Sequence, residues 1–185
     1  MIQQIGVSGG RLWRPPLDAY RTTGSSPTVH LLGPGRVGCS FLGLFRHSGY
    51  TLTGVTDSSG TVSWADGLDC EEVIATKENG ETLASACGGR PLPLAAALLE
   101  VDADVVVDTT ATDFGRHEWG EILDQAVVRR GKGLILAAKD AVASHVYRWS
   151  DSALDGRVGI NAVLGGTGRQ LLESVDEFRV DWIEA

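Results

Sequence analysis

The sequence predicts an α/β fold: a doubly wound, mostly parallel sheet with helices on both faces. Three observations predict it. From Thr28 onward, near-continuous apolar strands alternate with amphipathic helical stretches, the pattern of strands buried on both sides. The first strand runs straight into Gly33-Pro34-Gly35-Arg36-Val37-Gly38, a G-x-G-x-x-G turn that opens a helical stretch. Asp57 ends the second strand, about 20 residues beyond the last glycine of that turn. Strand, glycine turn, helix, strand and acid in that order make the expected fold Rossmann-like.

The elements follow in order. Residues 1–27 stand apart: Arg11, Arg14 and Arg21 face Asp18 alone, and Gly9-Gly10, Pro15-Pro16 and Gly24-Ser25-Ser26-Pro27 leave no regular period. They read as a flexible or loosely docked arm. The rival reading, favoured by Leu12 and Trp13, has them cover a sheet edge or reach a neighbouring subunit. Thr28–Leu32 is the first strand. The helix after it puts Val37, Phe41, Leu44 and Phe45 on one stripe and ends near Gly49. Tyr50–Thr56 is the second strand. Residues 58–100 are punctuated by glycine, with weak helical signals at 71–75 and 94–99. Asp104–Asp108 reads as a buried strand, 118–130 as a helix, 133–137 as a strand and 141–149 as a helix. A strand at 157–164, a helix at 168–175 and a last strand at 178–183 complete residues 28–185 as one domain.

Composition narrows the function. The chain has 185 residues, 43% hydrophobic and 22% charged, with 24 glycines and 6 prolines. That suits a globular domain rich in tight turns or close backbone approaches. Sixteen basic against 24 acidic residues give a net charge of -8, which repels phosphate backbones and argues against nucleic acid. The apolar runs fall short of the roughly 20 residues of a membrane helix, and the start lacks the pattern of a signal peptide. Cys39, Cys70 and Cys87 are odd in number and widely spaced, as expected for reduced thiols in a cytoplasm, and no metal site is expected.

The glycine turn carries the most specific chemistry. Gly33 permits the tight turn, Gly35 lets the backbone approach a pyrophosphate, and Gly38 lets the helix pack close to the sheet. The helix start at Arg36, Val37 and Gly38 then offers its unpaired N–H groups and positive dipole end to the phosphates. Arg36 either reaches a phosphate or faces solvent. Asp57, with Ser58 beside it, is placed to accept from the adenosine ribose hydroxyls. Its carboxylate repels a 2′-phosphate, and no arginine adjoins it, so NAD is the expected cofactor and NADP the second candidate. Residues 28–185 are therefore expected to form an NAD(P)-binding domain.

The second half of the sheet supplies further candidates. Thr109, Thr110 and Ala111 follow the strand across the switch point; they either line the floor under a nicotinamide ribose or cap a turn. Lys139 follows the next strand and opens the next helix, a placement that suits a proton donor to a carbonyl oxygen during hydride transfer. Asn161 and the turn Leu164-Gly165-Gly166-Thr167-Gly168 repeat the strand-to-helix logic. Gly165 and Gly166 are candidates for the cofactor, Asn161 and Thr167 for the substrate, with a simple glycine turn as the bland alternative. Cys39 is either an activated thiol or a packed side chain. Trp119 reads as core; Trp64, Trp149 and Trp182 are candidates for interfaces, and His117 and His145 for the surface.

Together these motifs resemble the nucleotide-binding half of homoserine dehydrogenase. The matching stretches are Val29–Gly38, Gly54–Gly60, Gly67-Leu68-Asp69, Val105–Thr110, Ala137-Ala138-Lys139 and the glycine turn after Asn161. The resemblance implies reduction of an aspartate semialdehyde with a nicotinamide cofactor and places Lys139 beside the substrate. Ala138 stands where the family motif has asparagine, and Asn161-Ala162-Val163 replaces a Glu-Ala-Ala-like strand end. In that family a substrate-binding, dimer-forming domain follows at about Phe178. The chain is thus expected to resemble a truncated homoserine dehydrogenase: an NAD(P)-dependent oxidoreductase acting on a small carbonyl or alcohol other than homoserine, and a homodimer. The alternatives are a non-catalytic NAD(P)-binding or regulatory module, and an enzyme that uses a nucleotide-like ligand in a non-redox step.

Overall fold

The structure is a computed structural model that describes residues 26–149, 157–160 and 162–163. Its elements are β1 (Thr28–Leu32), α1 (Arg36–Phe45), β2 (Thr51–Thr56), β3 (Thr61–Ser63), α2 (Cys70–Glu78), β4 (Gly89–Arg90) and α3 (Leu94–Glu100). β5 (Val105–Asp108), α4 (Trp119–Ala126), β6 (Gly133–Leu136), α5 (Lys139–Trp149) and β7 (Val158–Gly159) follow. The strands form one seven-stranded sheet in the order β4-β3-β2-β1-β5-β6-β7. β1 pairs in parallel with both β2 and β5, and β5–β6 and β6–β7 are parallel too. β3 and β4 add an antiparallel edge. The order therefore reverses between β1 and β5, the switch point where such sheets open a crevice at the carboxyl ends of their strands.

Strand periodicity builds two cores at once. Val105 and Val107 of β5 join Val29, Leu31, Leu42, Phe45, Val55 and Val73, the layer under α1 and α2. Val106, between them, joins Leu32, Leu98, Trp119, Leu123, Leu134, Leu136 and Trp149, the layer under α3, α4 and α5. Three consecutive valines can serve both layers because successive strand residues point to opposite faces. The edges are tied as well: Thr28 donates through its N–H and hydroxyl to Asp104 Oδ2, both at 2.8 Å, which sets the start of β1 beside β5.

Some local expectations are corrected. In α1 the buried residues are Gly38, Leu42 and Phe45, while Val37 and Leu44 of the expected stripe are 57% and 79% exposed. Gly38 marks the true buried face but has no side chain to signal it. The expected helix 118–130 ends as α4 at Ala126, and a separate 3-10 turn, Val128–Arg130, closes on Gly131 at φ 80°. β3 and β4 are missing from the sequence reading because strands of three and two residues are too short to show a period. Trp149 is 8% exposed and belongs to the core, not to an interface; Trp119 is core as expected. His145 is not an open surface residue: its side chain is 11% exposed and Nε2 lies 3.1 Å from Glu121 Oε2. Most of the expected arm, Asn161, the turn 164–168, the helix 168–175 and the strand 178–183 lie outside the described residues.

Candidate functional site

The carboxyl ends of β1, β2 and β5 meet at a cleft of about 550 Å³. Its walls include Gly33, Pro34, Gly35, Asp57, Ser58 and Lys77 on one side of the switch point. Leu94, Thr109, Thr110, Ala111, Asp113 and Arg116 complete it. A second cavity of about 570 Å³ adjoins along Pro34, Gly35, Arg36, Cys39, Lys77 and Glu78. Both volumes fall in the range of small-molecule and cofactor sites.

The three glycines of the turn differ in what requires them. Gly33 has φ 76°, and a Cβ there would lie 2.7 Å from the Thr110 backbone. A Cβ on Gly38 would lie 2.5 Å from the Gly33 carbonyl oxygen. The fold itself demands both. A Cβ on Gly35 would meet nothing within 4 Å among the described residues, and the residue adopts an ordinary extended conformation at φ -80°. Gly35 caps α1 with no side-chain hydrogen bond, so the first N–H groups of that helix keep their free donors. That cradle fits a pyrophosphate, which needs both the donors and the space a side chain would fill.

Across the switch point the threonine hydroxyls are already engaged. Thr109 Oγ1 donates to the carbonyls of Leu32 at 2.9 Å and Gly33 at 2.7 Å, clamping the glycine turn onto β5. The N–H and hydroxyl of Thr110 both donate to Asp108 Oδ1, and Trp119 Nε1 donates to Asp108 Oδ2 at 2.8 Å. These hydroxyls build the turn, and residues 109–111 line the cleft.

Asp57 is not the isolated carboxylate the sequence suggested. Its Oδ1 accepts from Ser59 N–H, Ser59 Oγ and Gly60 N–H, and its Oδ2 accepts from Lys77 Nζ at 2.6 Å. Burial pushes this carboxyl up, but the bonds from Lys77 and Ser59 and the Lys77 charge outweigh it and hold it below the usual carboxylate value. Lys77 lies in the last turn of α2, well away from Asp57 in sequence, and no spacing rule flags it.

Arg116 is a second residue that sequence reasoning missed. Its Nη2 donates to Asp140 Oδ2 at 2.7 Å, to Thr110 Oγ1 at 3.1 Å and to the Ala111 carbonyl at 3.0 Å. The guanidinium also lies 5.2 Å from the Trp119 ring centroid, so it is fixed over the cleft rim.

Other candidates fall outside the cleft walls. Lys139 is exposed at the first position of α5, and its N–H donates to Thr112 Oγ1 at 3.1 Å. It shares the carboxyl edge of the sheet but does not line the cleft, and neither do Val37 and Gly38. The Cys39 thiol is pushed up by burial and by Glu78, with Lys77 opposing, so it is not an activated nucleophile. Among the described residues, no group of three or more His, Cys, Asp or Glu side chains is arranged for a metal ion, and no helix is long and apolar enough to cross a membrane.

Solved structures share this architecture. Homoserine dehydrogenase from Thermoplasma acidophilum matches with a TM-score of 0.62 and 24% identity, over 84% of this chain and 49% of that one. A hyperthermophilic archaeal homoserine dehydrogenase in complex with NADPH matches with a TM-score of 0.61 and 17% identity, over 78% of this chain and 46% of that one. The hetero-hexameric glutamate dehydrogenase of Thermus thermophilus, in its Leu-bound form, gives 0.55 and 22%, over 91% and 39%. At these identities the likeness is one of fold. The chain spans about half the length of the homoserine dehydrogenases it matches. No curated protein matches the sequence. The family model for Glutamate/Leucine/Phenylalanine/Valine dehydrogenase matches residues 17–113, beginning upstream of β1 and running through the glycine turn, Asp57 and the β5 turn. With strands β1 to β5, the glycine turn and more than half of its length inside that match, the chain belongs to the Glutamate/Leucine/Phenylalanine/Valine dehydrogenase family.

Proposed function

We propose that the chain is the nucleotide-binding part of an NAD(P)-dependent oxidoreductase that acts on a small carbonyl or alcohol, with an arrangement similar to homoserine dehydrogenase. One observation carries the reading: the fold requires glycine at 33 and 38 but not at 35, whose missing side chain opens onto the helix N–H groups. A ligand that brings a pyrophosphate to that spot accounts for it.

In this reading Gly33, Gly35 and the N–H groups of Arg36, Val37 and Gly38 hold the pyrophosphate. Asp57 and Ser58 meet the adenosine ribose. The backbone of Thr109, Thr110 and Ala111 supports the nicotinamide side, with Gly165 and Gly166 as its further contacts and Asn161 and Thr167 toward the substrate. A bound nicotinamide dinucleotide supplies or accepts the hydride. Lys139 holds the proton that passes to the carbonyl oxygen on reduction and takes it back on oxidation.

Turnover tests this. Nicotinamide absorbance is followed with a panel of small aldehydes for the wild type and Lys139→Ala. The variant is expected to lose about 10²-fold or more in rate with cofactor affinity retained. Equal rates in the two proteins remove Lys139 from the chemistry. The exposed position of Lys139, off the cleft walls, favours a second reading, a module that binds the dinucleotide without redox chemistry. Tight cofactor binding with no turnover on any aldehyde establishes that one instead.

A further inference from the structure

The rule that a carboxylate after the second strand excludes a 2′-phosphate treats that carboxylate as a lone negative charge. Here it is not alone. Lys77 Nζ sits 2.6 Å from Asp57 Oδ2, and both residues line the cleft beside Gly33, Gly35 and Ser58. We propose that Lys77 selects between the two dinucleotides: it takes the 2′-phosphate of NADP, so that Asp57 does not exclude this cofactor. The inference rests on reading the cleft as a dinucleotide site.

The geometry supports a shared lysine. Asp57 does not depend on it: Oδ1 accepts from Ser59 N–H at 2.7 Å, from Ser59 Oγ and from Gly60 N–H at 3.2 Å, and Oδ2 also faces Leu83 N–H at 3.5 Å. When the ammonium turns toward a phosphate, the carboxylate stays held by its own loop. The ammonium has three N–H donors. One goes to Asp57, and a second goes to the Glu81 carbonyl at 3.2 Å. The third has no acceptor among the described residues. The side chain is 23% exposed, so a ligand in the cleft can reach it.

Charge on the neighbouring wall points the same way. Arg36 and Lys77 both line the adjoining cavity, with Glu78 as its acidic residue. Asp57, Lys77, Glu78 and Arg36 therefore balance in charge, and a dianionic phosphate meets a neutral surface that carries two cations rather than an acidic one. A ribose hydroxyl carries no charge and gains little from Lys77; it competes with the ammonium for Oδ2.

A lysine in the last turn of a helix also complements the helix dipole, so the test must separate selection from stability. Dissociation constants of NADPH and NADH are measured by nicotinamide fluorescence for the wild type, Lys77→Met and Lys77→Arg. The wild type is expected to bind both. Lys77→Met is expected to raise the ratio of the NADPH constant to the NADH constant by roughly tenfold or more, the size of one lost charge-assisted contact. Lys77→Arg is expected to keep that ratio within about threefold. A loss of stability alone shifts both constants together and leaves the ratio unchanged, and that result overturns the proposal. A wild type that binds NADH but not NADPH also overturns it while leaving the dinucleotide site intact. A wild type that binds neither removes the site and the proposal together.

Discussion

His30 lies in the middle of β1 with 0% exposure, and its Nε2 sits 2.7 Å from Thr56 Oγ1, which in turn pairs with Thr61 Oγ1 at 2.9 Å. Burial first, and then the charge of Lys132, lower its pKa to about 3 from 6.5. The imidazole is therefore neutral in the folded protein at neutral pH, while the unfolded chain takes up the proton below 6.5. Its contribution to stability is complete above 6.5 and is lost as pH falls toward 3. Denaturant unfolding is expected to show stability falling by up to about 1.4 kcal/mol per pH unit in that window, and His30→Gln is expected to flatten the slope. An unchanged slope in the variant places the proton uptake elsewhere. Asp57, whose carboxyl is also held low, acts only as pH drops below its ordinary 3.8, so above that pH the slope belongs to His30 rather than to Asp57. At this scale the glycine turn and Asp57 were legible because each answers to a spacing rule. Lys77 and Arg116 were not, because α2 and the loop before α4 bring them to the cleft from positions no motif links to it.

The turn between β5 and α4 shows how elements are locked together. Asp108 is 0% exposed and accepts from Thr110 and from Trp119 Nε1, joining strand, turn and helix at one carboxylate. Trp119→Phe leaves Oδ2 buried without that donor. It is expected to cost about 1–3 kcal/mol in unfolding free energy, measurable by denaturant titration. A cost well below this range shows that the carboxylate finds water or another donor. The apolar strands β1, β2, β5 and β6 were legible because unbroken valine and leucine runs have few other uses. The short edge strands β3 and β4 were not, and neither was the buried face of α1. Its stripe passes through Gly38, which contributes no hydrophobic signal, while Val37 and Leu44 supplied a false one.

For the molecule as a whole, the parallel order around β1 brings the glycine turn, Asp57 and the 109–111 turn to one crevice. That placement follows from the strand order; the alternation of strands and helices implied a mostly parallel sheet but not the order of its strands. The motifs resembled homoserine dehydrogenase; the family model that matches is instead that of the Glutamate/Leucine/Phenylalanine/Valine dehydrogenases, and the homoserine dehydrogenase likeness stands in the fold alone. The central claim is that the crevice holds a dinucleotide pyrophosphate against Gly35. Its most direct test is a fluorescence titration of NADH and NADPH into the wild type and Gly35→Ala, with thermal unfolding of both proteins alongside. A methyl group at that position meets nothing within 4 Å among the described residues. The variant is therefore expected to fold much as the wild type does and to bind both nucleotides at least about tenfold more weakly. A folded Gly35→Ala that binds them as tightly as the wild type contradicts the claim.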